Sequence, residues 1–191
     1  KDVNEEAICK PIGIYGTLKY SGELLVKAYN QIFDLPYTII RPSALYGERC
    51  VSRRVGQIFI ENAITGKPIQ VDGDGEDRLD FTYIEDFCQG VSRAIACDAA
   101  RNQIFNMTYG ESRSLKELTG VLREEFPDVE IAFREKDKLT PDRGTLSVEK
   151  ARRLMDYAPE FPIEVGYREY IRWYKEHYRD FKRSKNGPPN P

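Results

Sequence analysis

A single histidine, His177, one tryptophan and two methionines are all that these 191 residues hold of those types. A zinc site needs clustered Cys and His ligands. The four cysteines, Cys9, Cys50, Cys88 and Cys97, show no C-x-x-C spacing, so no metal is expected. Reduced, mostly buried thiols in a cytoplasmic protein are the reading of such sparse cysteines. No apolar run nears the roughly 18 residues of a membrane span, and no signal peptide is expected. The formal net charge is only -2, so bulk charge implies neither nucleic acid nor a membrane surface. No G-x-x-G-x-x-G or G-x-G-x-x-G opens a βαβ unit. Gly73-Asp74-Gly75 is no substitute, because it carries acid where a diphosphate would dock. What remains has the composition of a soluble globular protein, with 40% hydrophobic and 31% charged residues.

Hydrophobic periodicity then orders the chain. Residues 1 to 14 are polar and loop-like. Tyr15 to Phe33 reads as a helix with Leu24, Leu25, Ala28 and Ile32 on its apolar face. Tyr37 to Arg41, between Pro36 and Pro42, reads as a buried strand. A helix followed by a strand is the pattern of an α/β sheet protein. Further helices are expected over Val55 to Thr65, closed by Gly66, and over Ile84 to Cys97. Strands are expected at Ile69 to Val71, Gln103 to Asn106 and Val129 to Phe133. Ser114 with Glu117 forms a capping box for a helix to Phe126. Ser147 is the expected N-cap of a helix through Met155, and Pro162 opens the last helix. The tail from Lys185 to Pro191 is expected to be disordered.

Tyr15 and Lys19 carry the chemistry. Residues four apart share one helix face, and an ammonium beside a phenol favours the phenolate. A phenolate can take the proton of a substrate hydroxyl while a hydride leaves the same carbon. Lysine can also bind a cofactor ribose, and the hydride chemistry itself belongs to a nicotinamide. The spacing alone is weak. With 12 tyrosines in the chain it arises about once by chance, and Tyr178 with Lys182 repeats it on what reads as a solvated face.

Order along the chain adds specificity. After Tyr15-Gly16-Thr17-Leu18-Lys19 come Glu23, Arg41-Pro42-Ser43-Ala44-Leu45-Tyr46-Gly47, Gly73-Asp74-Gly75 through Arg78-Leu79-Asp80-Phe81 to Asp86, Phe105-Asn106 and Lys150-Ala151-Arg152. This series resembles the extended short-chain dehydrogenase/reductase family, in particular its NAD-dependent nucleotide-sugar epimerases and dehydratases, over residues 4 to about 178.

The resemblance implies an α/β fold. Residues 1–50 would end a Rossmann-like parallel sheet whose first βαβ units are not in this chain. Residues 51–184 would be mainly a small α+β nucleotide-sugar domain, with some chain returning to the Rossmann part, and 185–191 a tail. It implies Tyr15 as general base with Lys19 as its partner and ribose ligand. It places Ile40, Arg41 and Pro42 along the nicotinamide, Arg78 and Arg143 on the substrate diphosphate, and Gln70 and Val71 along the nucleotide base. It implies NAD, with NADP left open, a homodimer, and epimerisation through a keto-sugar, with dehydration or a noncatalytic nucleotide-sugar-binding or dimerisation domain as alternatives.

Structural roles compete at several positions. Arg41 also suits a strand-end pair with a carboxylate, and Arg78 a surface pair with Asp80 or Glu76. Asp86 reads as a helix cap or orienting group, Asn106 as a strand-end hydrogen-bonder, and Tyr167, Tyr170, Trp173 and Tyr174 as core and interface. Leu18 stands where the family has serine, and residues 136–144 depart from the family's arginine loop. The family's glycine loop, ribose-reading acid and catalytic Ser/Thr would lie ahead of Tyr15. The chain alone is therefore expected to be inactive.

Overall fold

A computed structural model describes residues 2–135 and 144–185. Arg143 and residues 186–191, the site of the expected disordered tail, lie outside the described residues.

The first helix, α1, spans Gly13–Phe33 and ends on Asp34 in the left-handed conformation, whose N–H returns to the Asn30 carbonyl. Strand β1, Thr38–Arg41, follows. It pairs in parallel with β6, Gln103–Asn106, in the register Thr38↔Gln103 through Arg41↔Asn106. The last residues of the two strands thus face each other. The carboxyl ends of parallel strands are where open α/β sheets place their ligands.

Between these strands lie β2 (Leu45–Tyr46), α2 (Val55–Ile64), β3 (Ile69–Asp72), β4 (Arg78–Leu79), β5 (Thr82–Tyr83) and α3 (Ile84–Ala96). After β6 come β7 (Arg113–Ser114), α4 (Leu115–Glu125), β8 (Ile131–Arg134), α5 (Glu149–Met155) and α6 (Ile163–Lys185). Strand β2 pairs with β5 and β3 with β8, both parallel, and β4 pairs with β7 antiparallel. The architecture is α/β, as expected. The strand expected from Val129 begins at Ile131.

Local chemistry explains the boundaries. Ser114 accepts from the Glu117 N–H, and Glu117 reaches back to the Ser114 N–H, so the α4 capping box is closed. Such a cap is worth about 1 kcal/mol. The expectation for Ser147 fails. The residue preceding α5 is Val148, and the Ser147 hydroxyl reaches only the Glu149 N–H, at 3.5 Å. The Gly-Asp turn needs its glycines, because Gly73 and Gly75 both have positive φ, 71° and 81°. Asp86 ties α3 to the approach of α6 by accepting from the Glu160 and Phe161 N–H groups, at 2.7 and 3.1 Å. That is the orienting role read from the sequence.

Two apolar clusters form the interior. The larger gathers Phe59, Ile60, Ile69, Val71, Leu118 and Leu122 around the α6 stripe Ile163, Tyr167, Tyr170, Ile171 and Tyr174. These spacings of three and four place one apolar face against the core, so the tyrosine series is core rather than a binding box. The smaller gathers Ala94, Phe105, Met107, Ala151, Met155 and Tyr157 between α3, β6 and α5.

The expectation of mostly buried thiols is overturned, and the α1 face stands open among the described residues. No residue of α1 is buried. Its apolar face is solvent-facing, with Leu24, Leu25 and Ile32 at least half exposed, because nothing in the described residues covers it. All four cysteines are free, but Cys88 is exposed and the other three are half-buried rather than buried.

Candidate active site

Tyr15 and Lys19 lie one turn apart near the start of α1. The Lys19 ammonium sits over the Tyr15 ring, 5.7 Å from its centroid, a cation–π arrangement. Tyr15 is 71% exposed and Lys19 is exposed. The pair thus forms a polar, accessible edge on a helix that the rest of the described chain does not bury.

The residue four further along that face is Glu23, and there the helix is gripped. Arg41, at the end of β1, donates from Nε to Glu23 Oε1 at 2.8 Å and from Nη2 to Oε2 at 2.7 Å. Its Nη1 donates to the Glu5 carbonyl at 3.3 Å. The hydrogen bond to Glu23 is the main influence that raises the Arg41 pKa. Arg41 thus forms the strand-end carboxylate pair that the sequence also suits, a two-pronged guanidinium matching a carboxylate. Ile40 turns toward α3, in a hollow shared with Val91 and Ile95, and Pro42 is exposed.

Asn106, opposite Arg41, is the strand-end hydrogen-bonder expected. Its N–H donates to Glu5 Oε1 at 2.8 Å, and its amide donates to the carbonyls of Val3 and Ser147 at 3.0 and 3.1 Å.

A second polar centre surrounds Arg78 on β4. Its Nη2 donates to the Ser112 carbonyl at 2.5 Å and its Nε to the Ser112 hydroxyl at 3.3 Å. Its Nη1 lies 3.4 Å from Glu117 Oε2. The surface pair expected with Asp80 or Glu76 is therefore replaced by one with Glu117, because β4–β7 pairing brings the α4 start alongside. The other Glu117 oxygen takes Arg113, at 3.1 Å, and Arg113 also meets Glu164 at 3.2 Å. The Glu117 pKa is held down, first by the N–H of Ser114 and then by these arginines. Arg78 keeps 48% of its side chain exposed, open to an anion.

Asp80 has another task. It is fully buried and accepts from the Thr108 hydroxyl at 2.9 Å and from the N–H groups of Gly110 and Leu146, both at 3.2 Å. Burial raises its pKa, and these donors pull it back. Gln70 is exposed, while Val71 is 1% exposed in the core. The Val71 side chain thus packs in the core while Gln70 faces outward.

The two centres are joined. Ser112 meets the Thr145 hydroxyl at 2.9 Å, the Val3 N–H donates to the Thr145 carbonyl at 3.0 Å, and the Val3 carbonyl takes Asn106. Asn106 binds Glu5, Glu5 binds Arg41, and Arg41 binds Glu23. The sequence singles out Arg78, Asn106, Arg41 and Glu23 separately, and carries no signal that Glu5, Ser112, Arg113, Glu117 and Thr145 are their partners.

A family model described as the NAD dependent epimerase/dehydratase family matches residues 1–108. A Methanocaldococcus jannaschii protein provisionally named a UDP-glucose 4-epimerase is 30% identical over 188 residues, covering 93% of this chain and 58% of its own length. An Actinoplanes dTDP-glucose 4,6-dehydratase is 26% identical, covering 86% of this chain and 52% of its own. The structure of a UDP-glucuronic acid 4-epimerase from Bacillus cereus, in complex with UDP-glucuronic acid and NAD, matches with a TM-score of 0.88 at 26% identity, covering 93% of this chain and 57% of that one. The chain spans about half the length of the curated relatives it matches.

Proposed function

The chain belongs to the NAD dependent epimerase/dehydratase family, and from that premise we propose that it supplies the base-bearing helix and the substrate diphosphate site of a nucleotide-sugar 4-epimerase. The observation that carries the reading is the exposed juxtaposition of Tyr15 and Lys19 on α1.

The donor set fits one edge of the cofactor. An accessible phenol and ammonium suit a ribose hydroxyl and a reacting hydroxyl, whereas Arg41, engaged with Glu23, does not fit a nicotinamide contact. When bound, NAD supplies the hydride acceptor and donor. Tyr15 then holds the proton: it takes it from the sugar hydroxyl as that carbon becomes a carbonyl, and returns it to the oxygen when the carbon is reduced from its other face. Lys19 supports the charge on Tyr15. Arg78, half exposed and oriented by Ser112, grips the diphosphate, a planar fork suited to phosphate oxygens. Gln70 lies along the nucleotide base, and Arg143 is proposed as a second diphosphate ligand. The uncovered apolar residues of α1 support a homodimer, and a cytoplasmic setting suits the free thiols.

The test is product analysis. The full-length protein, given NAD and a UDP-sugar, is expected to yield an epimer of unchanged mass. A product lighter by one water would assign dehydration, and no conversion of any nucleotide-sugar would leave a binding domain.

A further inference from the structure

Among the described residues, the helix that carries Tyr15 and Lys19 is attached by polar contacts. It is 21 residues long, and none of them is buried. A helix is ordinarily positioned by an apolar stripe pressed into a core. Here the described chain holds α1 by polar pins. One is at its far end, where the Asn30 amide donates to the Leu35 carbonyl at 2.9 Å and to the Asn102 side chain at 3.3 Å. The other is Glu23, two turns beyond Tyr15 on the same face as Lys19, in the two-pronged grip of Arg41.

We infer that Arg41 is a positioning residue: through Glu23 it fixes the Tyr15–Lys19 face of α1 to the carboxyl end of β1, and it does not itself touch the cofactor. Four features converge on this. Both prongs of the guanidinium are used on one carboxylate. The pair is mostly shielded, with side-chain exposures of 21% and 16%, so water competes weakly for it. The remaining nitrogen of Arg41 is taken by Glu5, whose carboxylate is in turn fixed by Asn106, so the guanidinium is held from behind. Arg41 also sits in register with Asn106 at the end of a strand pair, which makes the anchor part of the sheet rather than of a loop. A misplacement of a reacting group by about an ångström can cost about 100-fold in rate, so an anchor two turns away suffices to matter.

The catalytic consequence rests on Tyr15 being the base; the anchoring itself does not. The test uses the full-length protein with Arg41→Gln, Glu23→Gln, the double change, and the reversed pair Glu23→Arg with Arg41→Glu. Amide hydrogen exchange across residues 13–33 reads the anchor without any turnover. Each single change is expected to speed exchange about tenfold, and the double change no more than either alone, as for two partners in one interaction. The reversed pair is expected to recover protection. In turnover, both single changes are expected to lower kcat about tenfold with KM for the nucleotide-sugar within about twofold. The inference is overturned if Glu23→Gln leaves exchange unchanged, or if Arg41→Gln weakens NAD binding while Glu23→Gln does not. Unaltered turnover in a Tyr15→Phe protein would remove the base assignment, yet the exchange data would still judge the anchor.

Discussion

Arg78 is held by Glu117, with Nη1 3.4 Å from Oε2. A diphosphate approaching Arg78 therefore meets a guanidinium already shared with an internal carboxylate. Arg78→Ala is expected to raise KM for the nucleotide-sugar at least about tenfold with kcat within about twofold, the pattern of lost uniform binding. Glu117→Gln removes the competing charge but keeps a cap acceptor, and is expected to tighten binding of the nucleoside diphosphate a few-fold. Titration calorimetry checks both. Unchanged affinity in Arg78→Ala would remove the diphosphate assignment.

The same carboxylate sets a pH dependence. Glu117 has a folded pKa below its ordinary value of 4.5. A depressed acid contributes stability that is complete above the unfolded pKa and is lost as pH falls through the folded one. The stability gap between the natural protein and Glu117→Gln is thus expected at neutral pH and should close in acid, as pH falls through the folded pKa below 4.5. Urea unfolding at both pH values measures it. A gap that persists in acid would assign the effect to packing.

Asp80 offers a structural counterpart. Its two oxygens receive a hydroxyl and two N–H groups in a fully buried site. Asp80→Asn would turn an amide donor toward one of these donors, which is expected to cost about 1–3 kcal/mol of unfolding free energy. A loss below about 0.5 kcal/mol, the range of a neutral surface change, would contradict the accounting of these hydrogen bonds.

Much of the fold was legible because periodicity and caps are local. The α1, α2 and α3 helices, the Ser114 capping box and the α6 tyrosine stripe all follow from spacing. What escaped was set by tertiary pairing. The sequence offers Arg78 only the carboxylates beside it, but β4–β7 pairing brings Glu117 from 39 positions away. Arg41 and Glu23 are separated by 18 positions, and nothing in either segment alone announces their pairing. The apolar stripe of α1 reports only that something covers it, not that the cover lies in the same residues. Strand alternation turns Val71 inward and leaves Gln70 outside.

The central claim is that Tyr15 moves the proton, and substitution of one oxygen tests it. Tyr15→Phe keeps the ring beneath Lys19 and removes only the hydroxyl. In the full-length protein, with folding verified by circular dichroism and nucleotide-sugar binding retained, turnover is expected to fall by a factor of about 100 or more. Turnover retained at more than a few per cent would contradict the account.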